Sequence, residues 1–189
     1  METKRYTSVA IALHWLIAFS IVGMAAAGLY MTQLPLTHPN KFDLYQLHKS
    51  FGITVLLLSA ARLGWRLTHP APPLPSGMKD WERTAARFTH IAFYVLIIAI
   101  PFAGWAMVSA SVYNIPTKLY GFIPWPHLPV LNALDNKEPV EEALKGIHEY
   151  LAFAALGLLV VHAGAALKHH FVNKDDVLTR MVPFLRPKS

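Results

Sequence analysis

Residues 147–167 read IHEYLAFAALGLLVVHAGAAL, with Glu149 as the one charged residue and histidines at 148 and 162. At 1.5 Å per residue a helix of this length spans about 30 Å, the thickness of a bilayer's hydrocarbon core. The two histidines are 14 residues apart, which is about 21 Å of rise and close to four turns, so both imidazoles leave nearly the same side of the helix.

Three earlier blocks have the same character: Val9–Met31, Leu47–Leu67 and Phe88–Val112. With 54% hydrophobic and 15% charged residues, the chain falls outside the soluble range and inside that of membrane proteins. The expected fold is all-α, a single domain over 1–189 forming an integral membrane four-helix antiparallel bundle with spans at about 9–31, 47–67, 88–112 and 147–167. The first block is too long for the apolar region of a cleavable signal peptide, so it is expected to remain as a helix. Between the spans lie a short turn with Pro35 and Pro39, a stiff crossing with Pro70, Pro72, Pro73 and Pro75, and a cap over 111–144. That cap, rich in proline and aromatic residues, is expected to be irregular and to lie at the membrane interface, with Glu138–Leu144 as a short helix feeding the last span.

A net charge of +6 invites a nucleic-acid partner, but the basic residues form no aromatic-interleaved patch and argue against one. They gather instead at alternate ends of the apolar blocks. Lys4, Arg5, Arg66, Lys79, Arg83, Arg87, Lys168, Lys174, Arg180, Arg186 and Lys188 fall on one side, while the opposite connections hold Lys41, Lys118 and Lys137. The positive-inside rule then puts both termini in the cytoplasm. The absence of cysteine excludes disulfides, thiolate metal sites, iron–sulfur clusters and covalently attached haem.

Histidines carry the chemistry. Ionisable residues within a span are costly and face the bundle interior or a partner. Converted to depth, His14 matches His162 near the inside, and His48 matches His148 near the outside. Opposed imidazoles at one level suit a metal in a flat macrocycle held by coordination alone, hence two b-type haems between the helices, with His14 and His162 on the inner iron and His48 and His148 on the outer. Ala18, Gly52, Ala152 and Ala166, each four residues after one of these histidines, leave room beside a ring. His90 has no partner histidine on its own span and reads as an interfacial residue or a haem neighbour. Arg62 lies at the depth of the inner pair; one reading anchors a haem propionate with it, the other lets it snorkel to the interface beside Arg66. His169, two turns after His162 on the same face, suits hydrogen bonding and proton donation to a quinone. Its alternative role is to finish the helix beside Lys168 and His170.

The stretches YTSVAIALHW (6–15), LHKSFGI (47–53), RLGWR (62–66) and HAGAALKHHF (162–171), with DDVLTRM (175–181), resemble the bacterial dihaem cytochrome b561 family. The resemblance implies that His14, His48, His148 and His162 are haem ligands. It also implies electron transfer between a periplasmic donor and the ubiquinone pool, with superoxide as one candidate donor. Outside connections carrying Lys41, Lys118 and Lys137 against Asp43, Asp135, Glu138, Glu141 and Glu142 offer an anion little average attraction, although Lys49 and Lys145 flank the outer histidines. An oxidoreductase is one function these features allow. A haem-bearing anchor or relay subunit for a periplasmic redox partner is a second, and a metal or solute transporter, which predicts midplane carboxylates or broken helices, ranks last.

Overall fold

The computed structural model describes residues 5–185; Lys4, Arg186 and Lys188, which enter the charge asymmetry, lie outside the described residues. Four long helices carry the chain: α1 (Ser8–Gln33), α2 (Lys41–Thr68), α3 (Asp80–Ser109) and α5 (Glu138–Lys168), with the single turn α4 (Pro129–Asn132) before the last. Local chemistry sets their starts. Thr7 Oγ1 accepts the Ala10 N–H at 3.2 Å ahead of α1, and the Glu82 carboxylate accepts the Lys79 N–H at 3.2 Å at the head of α3, each satisfying a backbone donor at a helix end. Pro139 sits in the first turn of α5, where it has no helical N–H to lose.

Three helix starts differ from expectation. Helix α2 begins at Lys41, six residues before the apolar block at Leu47. The capped start of α3 lies at Asp80, ahead of the apolar block that begins at Phe88, so the proline-rich crossing is shorter. Residues 138–144 are the opening turns of α5 itself rather than a separate helix.

The helices run up and down. Trp65 near the end of α2 donates to Thr7 at the start of α1, and Lys168 at the end of α5 pairs with Glu82 at the start of α3. Helix α2 packs between α1 and α3, and α5 packs mainly on α3. Helices α1 and α3, and α5 with the turn after it, are long and apolar enough to cross a membrane. Helix α2 has 28 residues but carries Lys49, Arg62 and Arg66 in its apolar stretch. The buried core is small and places Ser50, Ser59, Ala103, Ala106, Ser109 and Ala155 beside Ile11, Ile17, Ile53 and Ile97, while Phe19 is 69% and Val160 74% exposed. Small residues let helix backbones approach closely, and large apolar ones turned outward suit lipid.

The cap is irregular only in part. It contains a hairpin of β1 (Thr117–Leu119) and β2 (Ile123–Trp125), paired antiparallel with Lys118 opposite Pro124. Its turn places Tyr120 at φ 52° and Gly121 at φ 86°, two successive positive values as in a type I′ turn, whose twist matches that of the strands. The hairpin docks on α2: the Tyr120 N–H donates to buried Ser50 at 2.9 Å, and its hydroxyl meets Thr54 at 2.6 Å. Ser109 likewise accepts the Leu128 N–H at 2.9 Å. At the other end, Arg5 donates to the carbonyls of Val182 and Pro183 and Trp15 to that of Met181, so the two described chain ends lie on one side of the bundle.

Candidate functional site

Two imidazole pairs stand between α5 and the helices opposite. Near the hairpin, His48 on α2 and His148 on α5 have ring centres 6.3 Å apart. Near the chain ends, His14 on α1 and His162 on α5 are separated by the same 6.3 Å. The depth matching read from the sequence therefore brings the expected partners together.

The hairpin-side pair is held from α3. His148 Nδ1 lies 2.8 Å from the Ile100 carbonyl oxygen; because a carbonyl only accepts, Nδ1 carries the proton and the Nε2 lone pair is left for a metal. Gly104 makes this approach possible, since a Cβ there would sit 3.1 Å from His148 Cε1 and 3.2 Å from Nδ1. His48 approaches Gly28 of α1, where a Cβ would meet its Cε1 at 3.4 Å. His48 Nδ1 is buried with no hydrogen-bond partner, which suits a ring whose orientation a bound group completes.

The other pair sits in a more crowded setting. Arg62 donates to the Ala10 carbonyl at 2.8 Å, lies 3.4 Å from His14 Nδ1 and places its guanidinium 5.9 Å from the centre of the Tyr94 ring. His90 and Phe93 flank His162, with ring centres 5.9 and 5.3 Å away. Of the two readings of His90, interfacial residue or haem neighbour, its place beside a ligand candidate favours the second; the interfacial reading counts its depth from Phe88. Counted from Asp80, where the helix begins, His90 is about 15 Å along α3. The signal available was the Lys79 to Glu82 cap spacing. Among the described residues no group of three or more His, Cys, Asp or Glu side chains is arranged to hold a metal ion by itself.

His169 is 8% exposed, with Nδ1 at 2.5 Å from Asp175. Its neighbour Lys168 turns away to Glu82 at 2.5 Å. At the hairpin end a cavity of about 380 Å³ is lined by Thr117, Lys118, Trp125, His127 and Asn132 among others. Burial, followed by the charge of Lys49, pushes His127 below the usual histidine range.

Residues 5–184 match the family described as prokaryotic cytochrome b561. The chain is 36% identical over 180 residues to "Cytochrome b561 homolog 2" of Escherichia coli (strain K12), covering 95% of this chain and 92% of the relative. It is 29% identical to "Cytochrome b561 homolog 1" of the same organism, over 95% and 98%. A third relative, "Probable superoxide oxidase CybB" of Yersinia pestis, is 29% identical over 95% and 97%. The chain thus belongs to the prokaryotic cytochrome b561 family, membrane electron-transfer proteins that carry b-type haem.

Proposed function

We propose that this protein carries electrons across the bacterial inner membrane, from a donor on the hairpin side to ubiquinone on the side of the chain ends, using two haems b. One is assigned to His48 and His148 and the other to His14 and His162. The observation that carries the reading is the equal spacing of the two pairs, 6.3 Å between ring centres in each. Imidazole nitrogens bind such metals at about 2 Å, so two rings facing one ion have centres about 6 Å apart. The fixed tautomer of His148 and the unpartnered His48 Nδ1 fit the same assignment. Bound there, each haem supplies one-electron redox chemistry.

The chain's own residues do the rest. Gly104 gives the His148 ring room. Arg62 is suited to a haem propionate by its planar fork and its place beside His14. His169 is assigned as proton donor to the quinone. Superoxide is the candidate donor, supported by the name of the Yersinia pestis relative and by the hairpin-side cavity with Lys118 and His127. The same cavity and hairpin also favour a second reading, docking of a periplasmic redox protein.

The test is to reduce the purified protein and follow haem reoxidation on adding ubiquinone. His169→Ala is expected to slow it at least about tenfold, within what positioned proton donors contribute, with both haems retained. Normal reoxidation would remove His169 from the quinone site.

We place both termini in the cytoplasm and α2 across the bilayer with the other three helices. The meeting of Arg5 and Trp15 with residues 181–183 supports a common side, and the charge asymmetry supports which side. A C-terminal reporter is expected to be active when it requires the cytoplasm; one active only in the periplasm would invert the topology.

A further inference from the structure

Helix α5 does not stop as most helices do. It passes into a π-helical turn, His169–Asn173, and is closed by Lys174 at φ 57°. The His169 carbonyl then accepts the N–H of Lys174 and that of Asp175 at 3.1 Å. In the ordinary left-handed ending the returning N–H reaches a carbonyl five residues back; here it reaches six back. The extra residue brings Asp175 round beneath His169, with Oδ2 at 2.5 Å from Nδ1.

Both carboxylate oxygens are occupied, since Oδ1 accepts the Val177 N–H at 3.1 Å, so the carboxylate's orientation is set from two sides. Asp175 also borders a cavity of about 740 Å³ shared with Lys79, Glu82, Lys168, Asn173 and Arg180. The charges around His169 from α3 and the residue before it are Glu82 and Lys79. Those from its own segment are Lys168, Asp175, Asp176 and Arg180, with His170 adjacent. Glu82 is paired to Lys168 at 2.5 Å, and Asp176 to Arg180 at 2.8 Å. Asp175 is therefore the carboxylate whose charge falls on the imidazole directly.

We propose that Asp175 is a positioning residue for proton delivery to the quinone: its carboxylate holds the proton on His169 Nδ1, so that proton transfer to the quinone takes place from Nε2. This rests on the assignment of His169 above. Reduction of a quinone to quinol takes two electrons, supplied by a one-electron donor on the hairpin side, and two protons. His169 gives one of the protons, its Nε2–H bond breaking as an O–H bond forms on a quinone carbonyl oxygen, and the second comes from water. The neutral imidazole keeps Nδ1–H on Asp175 and regains a proton at Nε2 from water. The π-helical turn, a feature often found at functional sites, is what makes the pair possible.

The experiment compares wild type, Asp175→Asn and His169→Ala, each purified with both haems, in reoxidation by ubiquinone. Asparagine keeps the acceptor for Val177 N–H and removes the charge. The expected result is a rate about tenfold lower near neutral pH, because the carboxylate no longer holds the Nδ1 proton and the ring that donates it. Nitrogen-15 NMR of histidine-labelled protein, with His169 assigned by its loss in His169→Ala, is expected to show the Nδ1–H signal weakened in Asp175→Asn. If Asp175→Asn matches wild type in rate and Nδ1–H signal while His169→Ala is slow, the role of Asp175 is overturned and the quinone assignment stands. If His169→Ala is itself reoxidised normally, both fall.

Discussion

Replacing His48 by alanine is expected to halve the haem content, from two per chain to one, and to leave the spectrum of the site near the chain ends. His14→Ala is expected to do the converse. The reasoning is geometric: each pair spans from α5 to a helix facing it, His48 from α2 and His14 from α1, and each ring has its partner centre 6.3 Å away. Without covalent attachment, one remaining imidazole and packing must hold the group. His90, 5.9 Å from His162, is the residue best placed to substitute for His14, so the double variant His14→Ala/His90→Ala checks whether it does. Haem is counted by the pyridine haemochrome method against protein. Full content in His48→Ala would sink the pairing at the hairpin side.

The second large effect requires no ligand to be touched. A Cβ on Gly104 would sit 3.1 and 3.2 Å from the His148 ring, closer than nearly all real contacts, so the ring must shift and stretch its 2.8 Å bond to the Ile100 carbonyl. Partners that orient a ligand are commonly worth 10- to 100-fold in affinity. Gly104→Ala is accordingly expected to weaken binding of the hairpin-side haem by about tenfold or more, and Gly104→Leu, with three further carbons, to abolish it. Gly28→Ala serves as the contrast, because its Cβ meets His48 at an ordinary 3.4 Å and both haems are expected to remain. Haem titration of the stripped protein measures all three. Equal affinities for wild type and Gly104→Leu would show that the ring does not depend on that space.

The apolar blocks and the depth of their histidines were legible in the sequence because a helix has a fixed rise. Once residues 147–167 are helical, His148 and His162 must lie about 21 Å apart on nearly one face, and antiparallel neighbours must bring His48 and His14 to those levels. A rise per residue does not specify what lies beside a ring. That Gly104 rather than a larger residue faces His148, and that His90 flanks His162, depend on how α3 is rotated and where it starts, which the Lys79 and Glu82 cap decides. The hairpin was hidden because its turn rests on Tyr120 taking a positive φ, a strained choice for a residue with a Cβ. Docking on Ser50 and Thr54 stabilises it. The His169 and Asp175 contact was hidden for a related reason. Six residues apart, the two face different sides of an α-helix, and only the wider π turn, closed by a left-handed Lys174, folds the chain back far enough for them to meet. Sequence periodicity determined the levels along the bundle; rotation about the helix axes and the geometry of the chain reversals, set by contacts between distant segments, were decided by the tertiary structure.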